Sequence, residues 1–100
     1  MQNETNVIEK EEVEIKLPGL WKVIFWNDDI TPMGFVVELL VNIFNYDRGN
    51  AIEKMLEVHE TGKSVVGVYL KAIAESKATL VREVSIKASY PLKVTVEEEE

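Results

Sequence analysis

Apolar residues along this chain fall into short blocks, each with a period that names an element. The run Leu20-Trp21-Lys22-Val23-Ile24-Phe25-Trp26 is rich in aromatic and β-branched residues and stops at Asn27-Asp28-Asp29, so it predicts a strand feeding a polar loop. Thr31 offers an N-cap and Pro32 a first helical position, after which Phe35, Val36, Leu39, Leu40, Ile43 and Phe44 recur at helical spacing. A first helix over about Pro32 to Asn45 follows. Asp47 can cap a second helix that places Ala51, Ile52, Met55, Leu56 and His59 on one side and ends at Gly62. Ser64 to Tyr69 reads as a second strand. A third helix over about Lys71 to Ala88 presents Ile73, Leu80, Val81 and Val84, with Ala72, Ala74 and Ala78 allowing close approach, and Pro91 blocks its continuation. Leu92, Val94 and Val96 alternate with polar residues as a last half-buried strand. The order predicts an α+β fold, a small three-stranded antiparallel sheet packed against three helices in the sequence β-α-α-β-α-β.

Composition narrows the chemistry. One hundred residues, 46% of them hydrophobic, suit one core, read here over residues 19–97 between an acidic arm at 1–18, expected to be flexible, and an acidic tail at 98–100. The absence of cysteine excludes disulfides, thiolate metal sites and cysteine nucleophiles, and the single histidine, His59, excludes a two-histidine metal site, so no cofactor or metal is expected. No apolar run is long enough to span a membrane, and the first residues resemble neither a secretory signal nor a transit peptide, which points to the cytoplasm. The formal charge of −7 is carried by the ends: residues 1–16 hold five glutamates against two lysines, Glu97 to Glu100 add four acids, and residues 17–96 balance nine acids against nine bases. A neutral body without a basic footprint argues against nucleic-acid binding.

Two groups of residues remain as candidate chemistry. Asn27-Asp28-Asp29 is either a turn and cap network or a cation site, and its amide oxygen and carboxylates suit an ammonium group that needs up to three acceptors better than a divalent metal. His59, four residues after Met55, either satisfies the carbonyls at the end of its helix or joins Met55 and Val58 as the wall of an apolar pocket with one polar contact. A hydrolase using His59 as base lacks a nucleophile-elbow motif, so the residues point to a binding module rather than an enzyme.

These residues, taken in order, carry a family resemblance. Asn27-Asp28-Asp29-Ile30-Thr31-Pro32-Met33, Phe35-Val36, Met55-Leu56-Glu57-Val58-His59, Gly62-Lys63, Gly67-Val68-Tyr69 and Tyr90-Pro91-Leu92 together resemble ClpS, the adaptor family of the bacterial N-end rule, over roughly residues 20–97. The resemblance implies a non-catalytic, monomeric adaptor that captures proteins by an N-terminal Phe, Leu, Trp or Tyr and delivers them to a Clp AAA+ unfoldase of the ClpA or ClpC type coupled to ClpP. It implies that Asn27, Asp29 and His59 hold the α-amino group with Asp28 adding charge, and that Thr31, Met33, Val36, Met55, Val58 and Leu92 line the side-chain pocket. It places Lys77 against the unfoldase and gives the arm a part in delivery. Three positions depart from the family pattern: Ala72 replaces an acidic docking residue, Gly34 a glutamate after Met33, and Trp26 a smaller aliphatic residue, narrowing or reshaping the pocket. A competing resemblance, to the C-terminal domain of the ribosomal stalk protein, lacks the concentrated basic helix that domain uses.

Overall fold

In the computed structural model, residues 19–99 are described; the expected arm at 1–18 and Glu100 lie outside them. Strand β1 (Leu20–Trp26) is followed by helices α1 (Met33–Phe44) and α2 (Arg48–Thr61), strand β2 (Lys63–Leu70), helix α3 (Lys71–Lys87) and strand β3 (Lys93–Glu98). The sheet is antiparallel in the order β2-β1-β3, so the most apolar strand is central. Val23 and Phe25 point from β1 into the core, where Phe25 meets Phe44 of α1 edge to face at 5.6 Å. β3 reaches Glu98, one residue into the expected tail, and the Glu99 amide still donates to the Leu20 carbonyl at 2.8 Å.

The helix boundaries follow local chemistry. Asp47 caps α2 by accepting from the Asn50 amide, and Gly62 ends it with φ at +95°, a conformation that favours glycine. The start of α1 differs from the expected one: Pro32 precedes the helix in an extended conformation, and no side chain caps it. Thr31 fails as a cap because its hydroxyl donates to the Asp28 carboxylate, a stronger acceptor, at 2.9 Å.

Two buried faces also differ from those expected. On α2 the core stripe is Ala51, Met55 and Val58, while Ile52, Leu56 and His59 are exposed, because the helix packs on α1 and β2 along one narrow side. On α3 the buried stripe is Ala74, Ala78, Val81 and Ser85, spaced at i, i+4, i+7 and i+11, and Ile73, Leu80 and Ala72 face outward. Small side chains let α3 approach the sheet closely, and that contact chose the stripe over the larger aliphatic one.

β2 carries one irregularity. Val23 pairs with Gly67 and Ile24 with Val65, leaving Val66 as the extra residue of a bulge. The Tyr46 hydroxyl donates to the Val66 carbonyl at 2.8 Å and so satisfies a group near the interrupted ladder. Beside it the Tyr69 ring lies where a Cβ on Gly67 would stand, so glycine is required there by space.

Candidate functional site

The end of β1 and the end of α2 are tied by the backbone. The Asn27 amide donates to the Gly62 carbonyl at 2.9 Å, while the Gly62 amide donates back to Val58 at 3.0 Å. This link carries the polar loop after β1 to the last turn of α2. A small cavity opens between them.

Ten residues line it: Trp26, Asn27, Asp28, Thr31, Met33, Val36, Met55, Val58, His59 and Leu92. Val36, Met55, Val58 and Leu92 are buried and belong to the hydrophobic core, so the apolar wall is a continuation of the core itself. Asn27 and His59 are exposed, and Met33 keeps 44% of its surface, placing these three where a ligand can reach them. Nine of the ten residues expected at the amine and side-chain sites are thus brought together, while Asp29 is exposed and outside the lining.

The loop that forms the polar rim is built around Asp28. Its Oδ1 accepts from the Ile30 amide at 2.8 Å and the Thr31 amide at 2.6 Å, and its Oδ2 accepts from the Thr31 hydroxyl at 2.9 Å. Burial works against the charge of this carboxyl, but the three donated hydrogen bonds outweigh it and hold the pKa below its ordinary 3.8. Asp28 is therefore ionised near neutral pH. A carboxylate has about four acceptor positions, so three bonds leave it able to accept a further donor at the mouth.

Trp26 supplies a wall that the sequence flagged only as a departure. Its indole N–H donates to Thr95 Oγ1 at 2.8 Å, fixing the ring between two strands. No local pattern could show this bond, because the partners are 69 residues apart. Gly34 has open space where its Cβ would be, so the departure there removes a side chain from solvent rather than from the cavity.

Lys77 lies away from the cavity. Its ammonium donates to the Ile43 carbonyl at 2.7 Å and sits 5.6 Å and 5.3 Å from the ring centroids of Phe44 and Tyr69. Among the described residues no three His, Cys, Asp or Glu side chains gather to hold a metal ion, and no helix is long and apolar enough to cross a membrane.

Comparison with known proteins decides the family. The profile of the family "ATP-dependent Clp protease adaptor protein ClpS" matches residues 16–95. The chain belongs to the ClpS family. It is 45% identical over 98 residues to the ClpS adapter protein of Cupriavidus metallidurans, covering 97% of this chain and 91% of that one. The ClpS adapter of Acetivibrio thermocellus is 43% identical over 98 residues, with 97% and 99% covered. Among solved structures, that of Agrobacterium tumefaciens ClpS2 bound to L-phenylalaninamide superposes with a TM-score of 0.80 at 36% identity, covering 83% of this chain and all of the other. Relatives of this ClpS-family chain are thus named adapters of a Clp protease, and one of them holds an aromatic amino-acid amide.

Proposed function

We propose that the cavity captures the N-terminal residue of a protein chain by its free α-amino group and its bulky side chain, and that the captured protein is delivered to a Clp AAA+ unfoldase for degradation by ClpP. One observation carries the reading: a cavity walled by buried apolar side chains opens beside an ionised carboxylate, an amide and an imidazole. The relative bound to L-phenylalaninamide supports the ligand class, since that molecule joins an α-amino group to an aromatic side chain. Asn27 and His59 take the ammonium, with Asp28 adding charge and an acceptor position. Asp29 stands outside the cavity lining and acts on the same cation through its charge at the exposed loop.

Magnitudes explain how so small a site discriminates. Burying one large apolar side chain contributes about 1.5–3 kcal/mol, and each hydrogen bond from a charged amine about 1.5–3 kcal/mol when its acceptor is preorganised. Lost rigid-body freedom takes back at least ~4 kcal/mol, which leaves micromolar affinity at best for a short peptide. Neither half of the ligand suffices alone. An internal phenylalanine lacks the ammonium, and N-terminal alanine leaves the cavity unfilled.

We assign unfoldase docking to α3 around Lys77, in a monomeric, cytoplasmic adaptor that performs no chemistry itself. Ala72, exposed on that helix, brings no carboxylate to the contact. The test is degradation of a Phe-initiated reporter by a reconstituted Clp unfoldase with ClpP, with and without this protein. Faster loss of the Phe reporter than of an Ala-initiated one is expected; equal rates with and without the protein would contradict delivery.

A further inference from the structure

The core cluster draws on one face of the sheet only. Val23, Phe25, Val66 and Val94 belong to it, while Leu20, Ile24, Val65, Val68 and Leu70 stand outside it. Alternation along β1 turns Leu20, Lys22, Ile24 and Trp26 to the second face, where Leu70 pairs with Leu20 and Val68 with Lys22. Leu20, Val68 and Leu70 keep 39%, 39% and 48% of their surface, so this apolar face is open to solvent.

Cations border it. Lys63 and Lys93 pair with Trp26 from β2 and β3 and hold their ammonium groups 4.6 Å and 4.4 Å from its ring centroid. Lys22 lines a groove on this face with Ile24, Val65 and Lys63. The acids of that groove are Glu57, already paired with Lys54 at 3.1 Å, and Glu97. Among the described residues Lys22, Lys63 and Lys93 have no carboxylate within ion-pair distance. These lysines against Glu97 leave the face positive in a protein whose net charge is −7.

The residues that precede β1 have the complementary pattern. Val13, Ile15 and Leu17 alternate with Glu14 and Lys16, and Glu9, Glu11 and Glu12 lie before them. Pro18-Gly19 is a turn-forming pair placed directly before the first residue of the central strand. A chain reversed there runs back along β1, but both edges of β1 are already paired, so it can only lie over a face. The inner face is filled by the helices. Counting back from the turn sets Leu17 over Leu20, Val13 over Ile24, and Glu11 over Trp26 between its two lysines.

We propose that residues 11–17 strap across this open face, with Val13, Ile15 and Leu17 against Leu20, Ile24 and Val65 and with Glu11 and Glu12 at Lys63 and Lys93. The short tether holds the segment at about millimolar effective concentration. A second copy of the chain would set the same lysines against one another, so the arm is the better occupant. The inference does not depend on what the cavity binds.

The test is paramagnetic broadening in the full-length protein, which has no cysteine of its own. A nitroxide is attached at Lys10→Cys, which the strap brings just past Trp26, at the end of the sheet farthest from Gly19. The amides of Lys63, Val65 and Lys93 should lose most of their intensity, while those of Leu80 and Ile86, exposed on α3, lose little. Val13→Ser, Ile15→Ser and Leu17→Ser together should abolish the contrast, as should Glu11→Lys with Glu12→Lys. Adding Lys63→Glu and Lys93→Glu to the charge-reversed arm should restore it. The arm substitutions leave residues 19–99 unaltered, so loss of the contrast reports docking rather than unfolding. Equal broadening on the sheet and helix sides, or a contrast that survives the serine variant, would overturn the proposal. Broadening of the same amides in an isotope-labelled chain mixed with a spin-labelled one would assign the contact to a second copy and overturn it as well.

Discussion

The Lys77 ammonium on α3 donates to the carbonyl of Ile43, in the last turn of α1, at 2.7 Å. That carbonyl is one of the four a helix end leaves without an internal partner, and a cation there also opposes the negative end of the helix dipole. The side chain thus ties two helices before it meets any partner. Lys77→Met should lower stability by about 1 kcal/mol, or roughly 4–8 °C in Tm for a domain of this size. Thermal unfolding followed by circular dichroism measures it. An unchanged Tm would show the ammonium to be free for docking alone.

Ser85 offers a change of the opposite sign. It is 2% exposed on the face of α3 that meets the core, and among the described residues its hydroxyl has no hydrogen-bond partner. A buried unpaired hydroxyl costs about 1–3 kcal/mol, so Ser85→Ala should keep the helix and raise the unfolding free energy by about 1 kcal/mol. Chemical denaturation gives the value. A less stable Ala variant would mean that the hydroxyl is satisfied.

The Asp28 loop gives a pH dependence. Because its carboxyl titrates below the ordinary 3.8 in the folded protein, it binds fewer protons folded than unfolded. Its stabilisation is complete above the ordinary value of 3.8 and is lost as pH falls through the lower native value. Stability attributable to this loop should therefore hold from about pH 7 to 5 and decline by about 1 kcal/mol in the acid range below 4, after discounting for solvent screening. Asp28→Asn should flatten that step in a comparison of Tm against pH. The same acid step in both proteins would assign it to other carboxylates.

Met33 stands partly exposed at the cavity mouth. Its side chain should crowd ligands branched at Cβ, so Met33→Ala should improve binding of Ile- or Val-initiated peptides relative to Phe by about threefold or more. Competition against a labelled Phe peptide reads the ratio. Unchanged discrimination would place the crowding elsewhere.

Much of the fold was legible because its signals are local. Leu20 to Trp26 reads as a strand from its side chains, and Asp47 and Gly62 mark the ends of α2 by capping chemistry. The inner face of α3 was not legible. Ala74, Ala78 and Ser85 are buried by the closeness of the sheet, whereas periodicity weighted by size selects Ile73 and Leu80. The Val66 bulge and the Trp26–Thr95 bond depend on strand register, which no single segment encodes. For the site, the residues alone offered a polar loop and a Met-to-His wall as two separate groups. Joining them needed the family resemblance, and the Asn27–Gly62 hydrogen bond is the contact that joins them physically.

The most direct measurement of the central claim is anisotropy of labelled peptides beginning with Phe, with Ala and with acetylated Phe, against the wild type and Asn27→Ala. The expected result is tight binding of the free Phe peptide alone, weakened about thirtyfold by acetylation, a loss of about 2 kcal/mol, and lost again in Asn27→Ala. Equal binding of the free and acetylated Phe peptides would contradict recognition of the α-amino group and with it the account of this cavity.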